Sequence, residues 1–202
     1  MSKLARIFRL FLLITFSLIA TTQAIADTEP AIGVFKDWNN LDQVEIKQLF
    51  KLSDYDSITV EPFETKGIEL PTVDDNTYKP VTEAQSSFND RFLKKIQGEL
   101  ESKPVLSKID TSHGKVLLVR GKLITMNPGA KSARFFAGFG AGHAKVEIKC
   151  EIVDAKTNAI LATLSQARLS SGGWLGGSYD GLLEDLTEEV AEDTSSLISH
   201  FN

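Results

Sequence analysis

The run HAKVEIKCEIVDAKTNAILATLSQARL, residues 143–169, constrains this chain more than any other stretch. Ala144, Val146, Ile148, Cys150 and Ile152 alternate with Lys145, Glu147, Lys149 and Glu151. Successive side chains of a strand point to opposite faces, so this segment reads as a strand with one face in the core and one in water. Its outer row alternates in sign, which suits cross-strand charge pairing. DAKTNA then reads as a turn. Asp154 can accept hydrogen bonds from the backbone downstream, and Asn158 tolerates positive φ. The next run, Ala159 to Leu169, is a second strand, so the two form a hairpin. Its apolar positions move from Ile160, Ala162 and Leu164 to Ala167 and Leu169, which predicts a bulge near Ser165.

The remaining elements follow from the same rules. KVLLVRGKLITM is apolar on both faces from Val116 to Val119, as a central strand is. SITVEPF is a short strand with Ile58 and Val60 on one face, ended by Pro62. In TEAQSSFNDRFLKKIQGELES, Val81, Ala84, Phe88, Phe92, Ile96 and Leu100 form one helical stripe. Thr82 and Gln85 have capping-box spacing, and Pro104 stops the helix. A closing helix starts near Asp180, with Leu183, Leu186, Val190, Leu197 and Phe201 inward. ETKGIELPTVDDNTYKP is a polar surface connection. Residues 27–53 form a poorly defined extension, in which NNLDQVEIKQLFKL reads as a short helix with Leu41, Val44 and Leu49 inward. The order strand, helix, three strands, helix predicts a two-layer α+β domain: a three- to four-stranded, mostly antiparallel sheet with both helices on one face.

Lys3, Arg6 and Arg9, the apolar run from Leu10 to Ala20 and the small residues Ala24 and Ala26 have the layout of a signal peptide over residues 1–26, cleaved after Ala26. The expected location is the periplasm. The lone cysteine, Cys150, lies far from that cut, so no lipid anchor and no internal disulfide are expected. Residues 27–202 are expected to fold as a single domain. The net charge of −5 is unevenly spread: no Lys or Arg follows Arg168, while Asn127 to Val146 holds Lys131, Arg134 and Lys145 and no acid. Nucleic-acid binding needs surplus Lys and Arg, so an acidic chain of this kind is not expected to bind it.

Two glycine-rich runs flank the hairpin. ARFFAGFGAG enters its first strand and SSGGWLGGSYDG leaves its second. Antiparallel partners place that entrance and that exit at one end of the sheet. Phe135, Phe136, Phe139, Trp174, Leu175 and Tyr179 are expected to gather there, rimmed by Lys131, Arg134 and His143. Nucleotide binding is not expected, because the spacing Gly138-x-Gly140-x-Gly142 departs from the dinucleotide pattern and opens a strand rather than a helix. Three readings stay open: the rings cap the core, they form a contact surface for a protein partner or a second copy, or they touch a membrane surface.

NPGAKSARFFAGFGAGHAKVEIKCEIVDAKTNAILA, together with YDSITVEPF, resembles the bacterial envelope family described as domain of unknown function 4410, over most of Asp54 to Gly177. The resemblance implies a fold similar to the small α/β accessory domains of envelope machines, and an envelope location without assigned activity. It carries over no catalytic residue. The chain departs from the family in lacking a lipid-bearing cysteine before the domain and in having Asn158 where the family turn commonly has Gly.

No catalytic or metal residue is nominated and no cofactor is expected. The histidines His113, His143 and His200 are scattered and none has an i, i+4 partner. Cys150 faces the apolar side of its strand, where a thiol is a packing residue rather than a nucleophile. Asp54, Asp56, Asp74 and Asp75 could supply oxygen ligands for calcium, but complete no EF-hand loop. Together these features predict a non-enzymatic envelope protein that acts as an interaction or assembly module through its Gly- and aromatic-rich end, with a partner envelope protein or with itself. The alternative is a small-molecule or lipid-binding accessory protein using the same rings.

Overall fold

The computed structural model describes residues 29–110, 112, 114–129, 143–170 and 181–202. Their elements in chain order are β1 (Gly33–Trp38), β2 (Leu41–Ile46), β3 (Ser57–Val60), α1 (Tyr78–Glu99), β4 (Val105–Leu106), β5 (Val116–Asn127), β6 (Lys145–Asp154), β7 (Ala159–Leu169) and α2 (Leu182–Ser199). The strands form one sheet in the order β1-β2-β7-β6-β5-β3-β4. Pairing is antiparallel from β1 across to β5. It is parallel between β5 and β3 and between β3 and β4.

This corrects the expected architecture. The fold is α+β, but the sheet is mixed and seven-stranded. One source of the error is NNLDQVEIKQLFKL, which is not a helix. Asn39 and Asn40 both adopt positive φ, 50° and 65°, and turn β1 into β2. Two residues of that geometry are the tight connection that suits the twist of a hairpin. Leu41, Val44 and Ile46 are buried, whereas Leu49 is half exposed. The second source is β4, only two residues long, which follows α1 and lies parallel to β3.

The hairpin reading of residues 145–169 holds. Ile148 lies opposite Gln166 and Cys150 opposite Leu164. Asp154 Oδ1 accepts hydrogen bonds from the Lys156 and Thr157 backbones at 3.0 and 2.9 Å, and Asn158 has φ 57°. The irregularity sits elsewhere than expected: Ile152 pairs with Ala162 but Val153 with Ile160, so the slip is around Leu161 and not Ser165. Beyond it the inward row simply turns polar. Gln166 is buried and accepts the Asp42 N–H at 2.8 Å. Arg168 makes two hydrogen bonds to Asp193 of α2. Polar groups can point inward there because each is bonded.

Both helices lie on one face and run in the same direction, since Arg91 meets Glu188 and Lys95 meets Glu192. Val81, Ala84, Phe88, Phe92 and Ile96 of α1 and Leu183, Leu186, Val190 and Leu197 of α2 join the inward residues of β5 and β6 in one core. Helix α1 begins four residues before Thr82, with Pro80 in its first turn, where the lost N–H costs nothing. Thr82 therefore bonds back to the Tyr78 carbonyl, and Gln85 reaches the Thr65 carbonyl, rather than forming a capping box. Gly121 makes room for the Phe63 ring. A Cβ there would lie 2.6 Å from the Lys149 carbonyl oxygen and 2.7 Å from the Phe63 ring, which packs 4.5 Å from Phe92 between centroids.

Candidate interaction end of the sheet

The strand directions decide which loops share an end. Strands β3, β5 and β7 finish where β6 starts, because β3 is parallel to β5 and β6 is antiparallel to both β5 and β7. Asn127, Lys145 and Leu169 sit side by side as the last row. The connections β3 to α1, β5 to β6 and β7 to α2 all leave from this end.

The two glycine-rich segments share a root. The Ser170 N–H donates to the Ala144 carbonyl at 2.9 Å, and the Ala144 N–H donates to Ser170 Oγ at 3.0 Å. His143 Nδ1 meets the Ser170 carbonyl, which can only accept, so that nitrogen carries the proton. This clasp joins the residue that follows the first segment to the residue that precedes the second. On the other flank Asn127 Oδ1 accepts the Gly129 N–H at 2.7 Å, and Gly129 turns with φ 71°. Lys131, Arg134, Phe135, Phe136, Phe139, Trp174, Leu175 and Tyr179 lie outside the described residues, as do residues 1–26, expected to be a signal peptide, Asp180 and His113. What is brought together is therefore the anchorage of the segments that carry the nominated side chains.

Sequence reasoning missed the third connection. Its reading as a polar surface loop overlooked Leu70 and Val73, the latter 78% exposed. Leu169, 59% exposed, and Ile124 add apolar surface on β7 and β5 toward the same end. A strand, a helix and a second strand in succession signal a crossover to a parallel neighbour. That cue would have placed the end of β3 here.

The opposite end of the sheet is closed by side chains. Tyr55 donates its hydroxyl to Asp154 Oδ2 at 3.1 Å, and Lys115 Nζ lies 3.6 Å from that oxygen and 4.4 Å from the Tyr55 ring centroid. Burial disfavours the Asp154 charge, yet the bonds from Thr157 and Tyr55 and the Lys115 cation outweigh it and hold the carboxyl below its ordinary value. Tyr55 moves the other way, pushed up by burial and by the Asp154 charge. Asp56 accepts the Lys115 N–H at 2.7 Å, and Asp75 accepts both the N–H and hydroxyl of Thr77, so these acids serve turns. Cys150 is fully buried and its thiol is pushed up to about 12 by burial, which withholds the thiolate. No helix among the described residues is long and apolar enough to cross a membrane, and no group of three metal-ligating side chains occurs among them.

The chain is similar in fold to several solved structures. A PelC dodecamer subunit from Paraburkholderia phytofirmans shares 13% identity over 74% of this chain and 96% of that chain, with a TM-score of 0.47. Protein XCC0632 from Xanthomonas campestris shares 12% over 77% and 92%, at 0.43. A minor lipoprotein from Acinetobacter baumannii shares 14% over 72% and 93%, at 0.33. Likeness at this level carries no argument about assembly or activity. No curated protein matches the chain. The family model for a domain of unknown function, DUF4410, matches residues 58–172, the stretch from β3 through the hairpin to the second glycine-rich run. More than half of the chain lies inside that match, and the protein belongs to the DUF4410 family.

Proposed function

We propose that this is a non-enzymatic protein of the bacterial periplasm, exported by residues 1–26 and released without a lipid anchor, that works as an interaction or assembly module. Its contact surface is the Gly- and aromatic-rich end of the sheet, and its partner is an envelope protein or a second copy. The observation that carries the reading is the His143–Ala144–Ser170 clasp, which roots both aromatic segments at one point. Exposed Leu169 beside that root supports it, because exposed apolar surface marks contacts. The placement of the reactive side chains supports the non-enzymatic part. The thiol is buried, His200 packs at a tilt against Trp38 with ring centroids 4.9 Å apart, and Asp154 is bonded within its turn.

The test is photo-crosslinking in living cells from a photoreactive residue at Phe136 or Trp174. The reading expects a discrete protein adduct from both positions, lost when Phe139→Ser is added. Adducts with lipid alone favour a lipid-binding accessory role and contradict the module.

A further inference from the structure

The sheet has one face under the helices and one without them. On the bare face Lys122 lies directly opposite Lys149, and the same row continues through Ser165 and Gln43 to Lys36. All three lysines are exposed. Like charges directly opposite one another oppose pairing. The neighbouring acids do not relieve them: Glu151 is bound to Arg120 at 2.9 Å and Glu147 to Lys145 at 2.6 Å. Glu64, bridged to Lys122 along the backbone, makes no ion pair with it. The helix face has the reverse character. Asp185 and Glu189 are exposed, one turn apart on α2, in a helix without a single Lys or Arg; neither forms an ion pair among the described residues, although Glu189 lies within electrostatic reach of Arg168.

We propose that the exposed lysine row on the sheet face away from the helices is a docking surface for a second copy of this chain, which seats the Asp185–Glu189 edge of its α2 on Lys36, Lys149 and Lys122. The two patches lie on opposite faces of one molecule, so they cannot meet within it. Charge complementarity of this arrangement is satisfied head to tail, and a head-to-tail contact propagates into a ring or a filament. Both patches are solvent-exposed, so the contact is screened by salt, with a screening length of about 8 Å at physiological ionic strength. The contact uses neither glycine-rich segment.

The experiment is the mass in solution by light scattering at salt concentrations of roughly 0.02 M and 0.5 M. The purified protein is expected to exceed its monomer mass at least about twofold at low salt and to return to monomer at high salt. Lys122→Glu with Lys149→Glu should be monomeric at both, and so should Asp185→Lys with Glu189→Lys. An equimolar mixture of these two variants should associate again, because each then offers what the other lacks. Unfolding midpoints identify any variant that has lost its fold, for which the neutral pair Lys122→Gln with Lys149→Gln substitutes. A wild type that stays monomeric at low salt overturns the proposal. So does association that persists in either reversed variant alone, or a mixture that fails to associate. Loss of association in Phe139→Ser with Trp174→Ser but not in the lysine variants assigns self-assembly to the aromatic end and also overturns it.

Discussion

The two ends of the β6–β7 ribbon are built on opposite plans. At the turn end, Asp154 gathers the Lys156 and Thr157 backbones, the Tyr55 hydroxyl and the Lys115 cation around one carboxylate. Phe50 stacks on Phe201 at 4.1 Å and meets the edge of Tyr55, so the chain after β2 and the end of α2 close over the same end. At the other end Arg168 bonds to Asp193 and the clasp of His143, Ala144 and Ser170 holds the last row, beyond which come glycines and aromatic rings. Both ends bond their inward polar side chains, but only the second also leaves an apolar side chain, Leu169, exposed on its last row. Under the proposed function, keeping both ends on one ribbon separates the part that folds from the part that makes contact.

This contrast is broken most forcefully at the closed end. Asp154→Ala removes a largely buried charged acceptor and strands the Tyr55 hydroxyl, so it should cost about 3 kcal/mol in chemical denaturation. A loss below about 1 kcal/mol would show that the network is ornamental. The pH dependence sharpens the same point. The Asp154 carboxyl is held below its ordinary value, so its contribution is present above the usual carboxylate range and fades as pH falls through the lowered value. The wild type should therefore lose stability on acidification more steeply than Asp154→Asn, and parallel pH profiles of the unfolding midpoint would deny that. At the open end Ser170→Ala should cost about 1 kcal/mol, since it leaves the buried Ala144 N–H without its acceptor. The smallest effect on stability is expected from Phe139→Ser with Trp174→Ser, within about 0.5 kcal/mol of wild type, although it should abolish partner capture. A loss of several kcal/mol there would mean that the rings cap the core.

The sequence made the central ribbon legible because alternation over Ala144 to Ile152 admits one reading and DAKTNA has the turn chemistry to close it. The helical stripes of α1 and α2 were legible for the same reason. What escaped was short or depended on distant partners. Strand β2 has only six residues, LDQVEI; the step of three from Leu41 to Val44 suits a helix, and only Val44 and Ile46 alternate as a strand does. Its strand state comes from pairing with Leu164 and its neighbours on β7, far along the chain. The expected slip at Ser165 treated Gln166 and Arg168 as outward because they are polar, whereas Asp42 and Asp193 satisfy them inside. For the candidate surface, the flanking of the ribbon by two glycine-rich runs was readable. The third connection was hidden by its polar composition, although the strand–helix–strand order around α1 carries the cue of a parallel crossover.

The account's central claim is that the two aromatic segments work from a common root. It is tested most directly by the distance between spin labels at Phe139→Cys and Trp174→Cys, in a background where the buried Cys150 is replaced by Ala. Because His143 and Ser170 are bonded to each other, the distribution is expected to centre well inside the length of β6, about 33 Å at 3.3 Å per residue. A distribution centred at or beyond that length would put the rings at opposite poles and contradict the account.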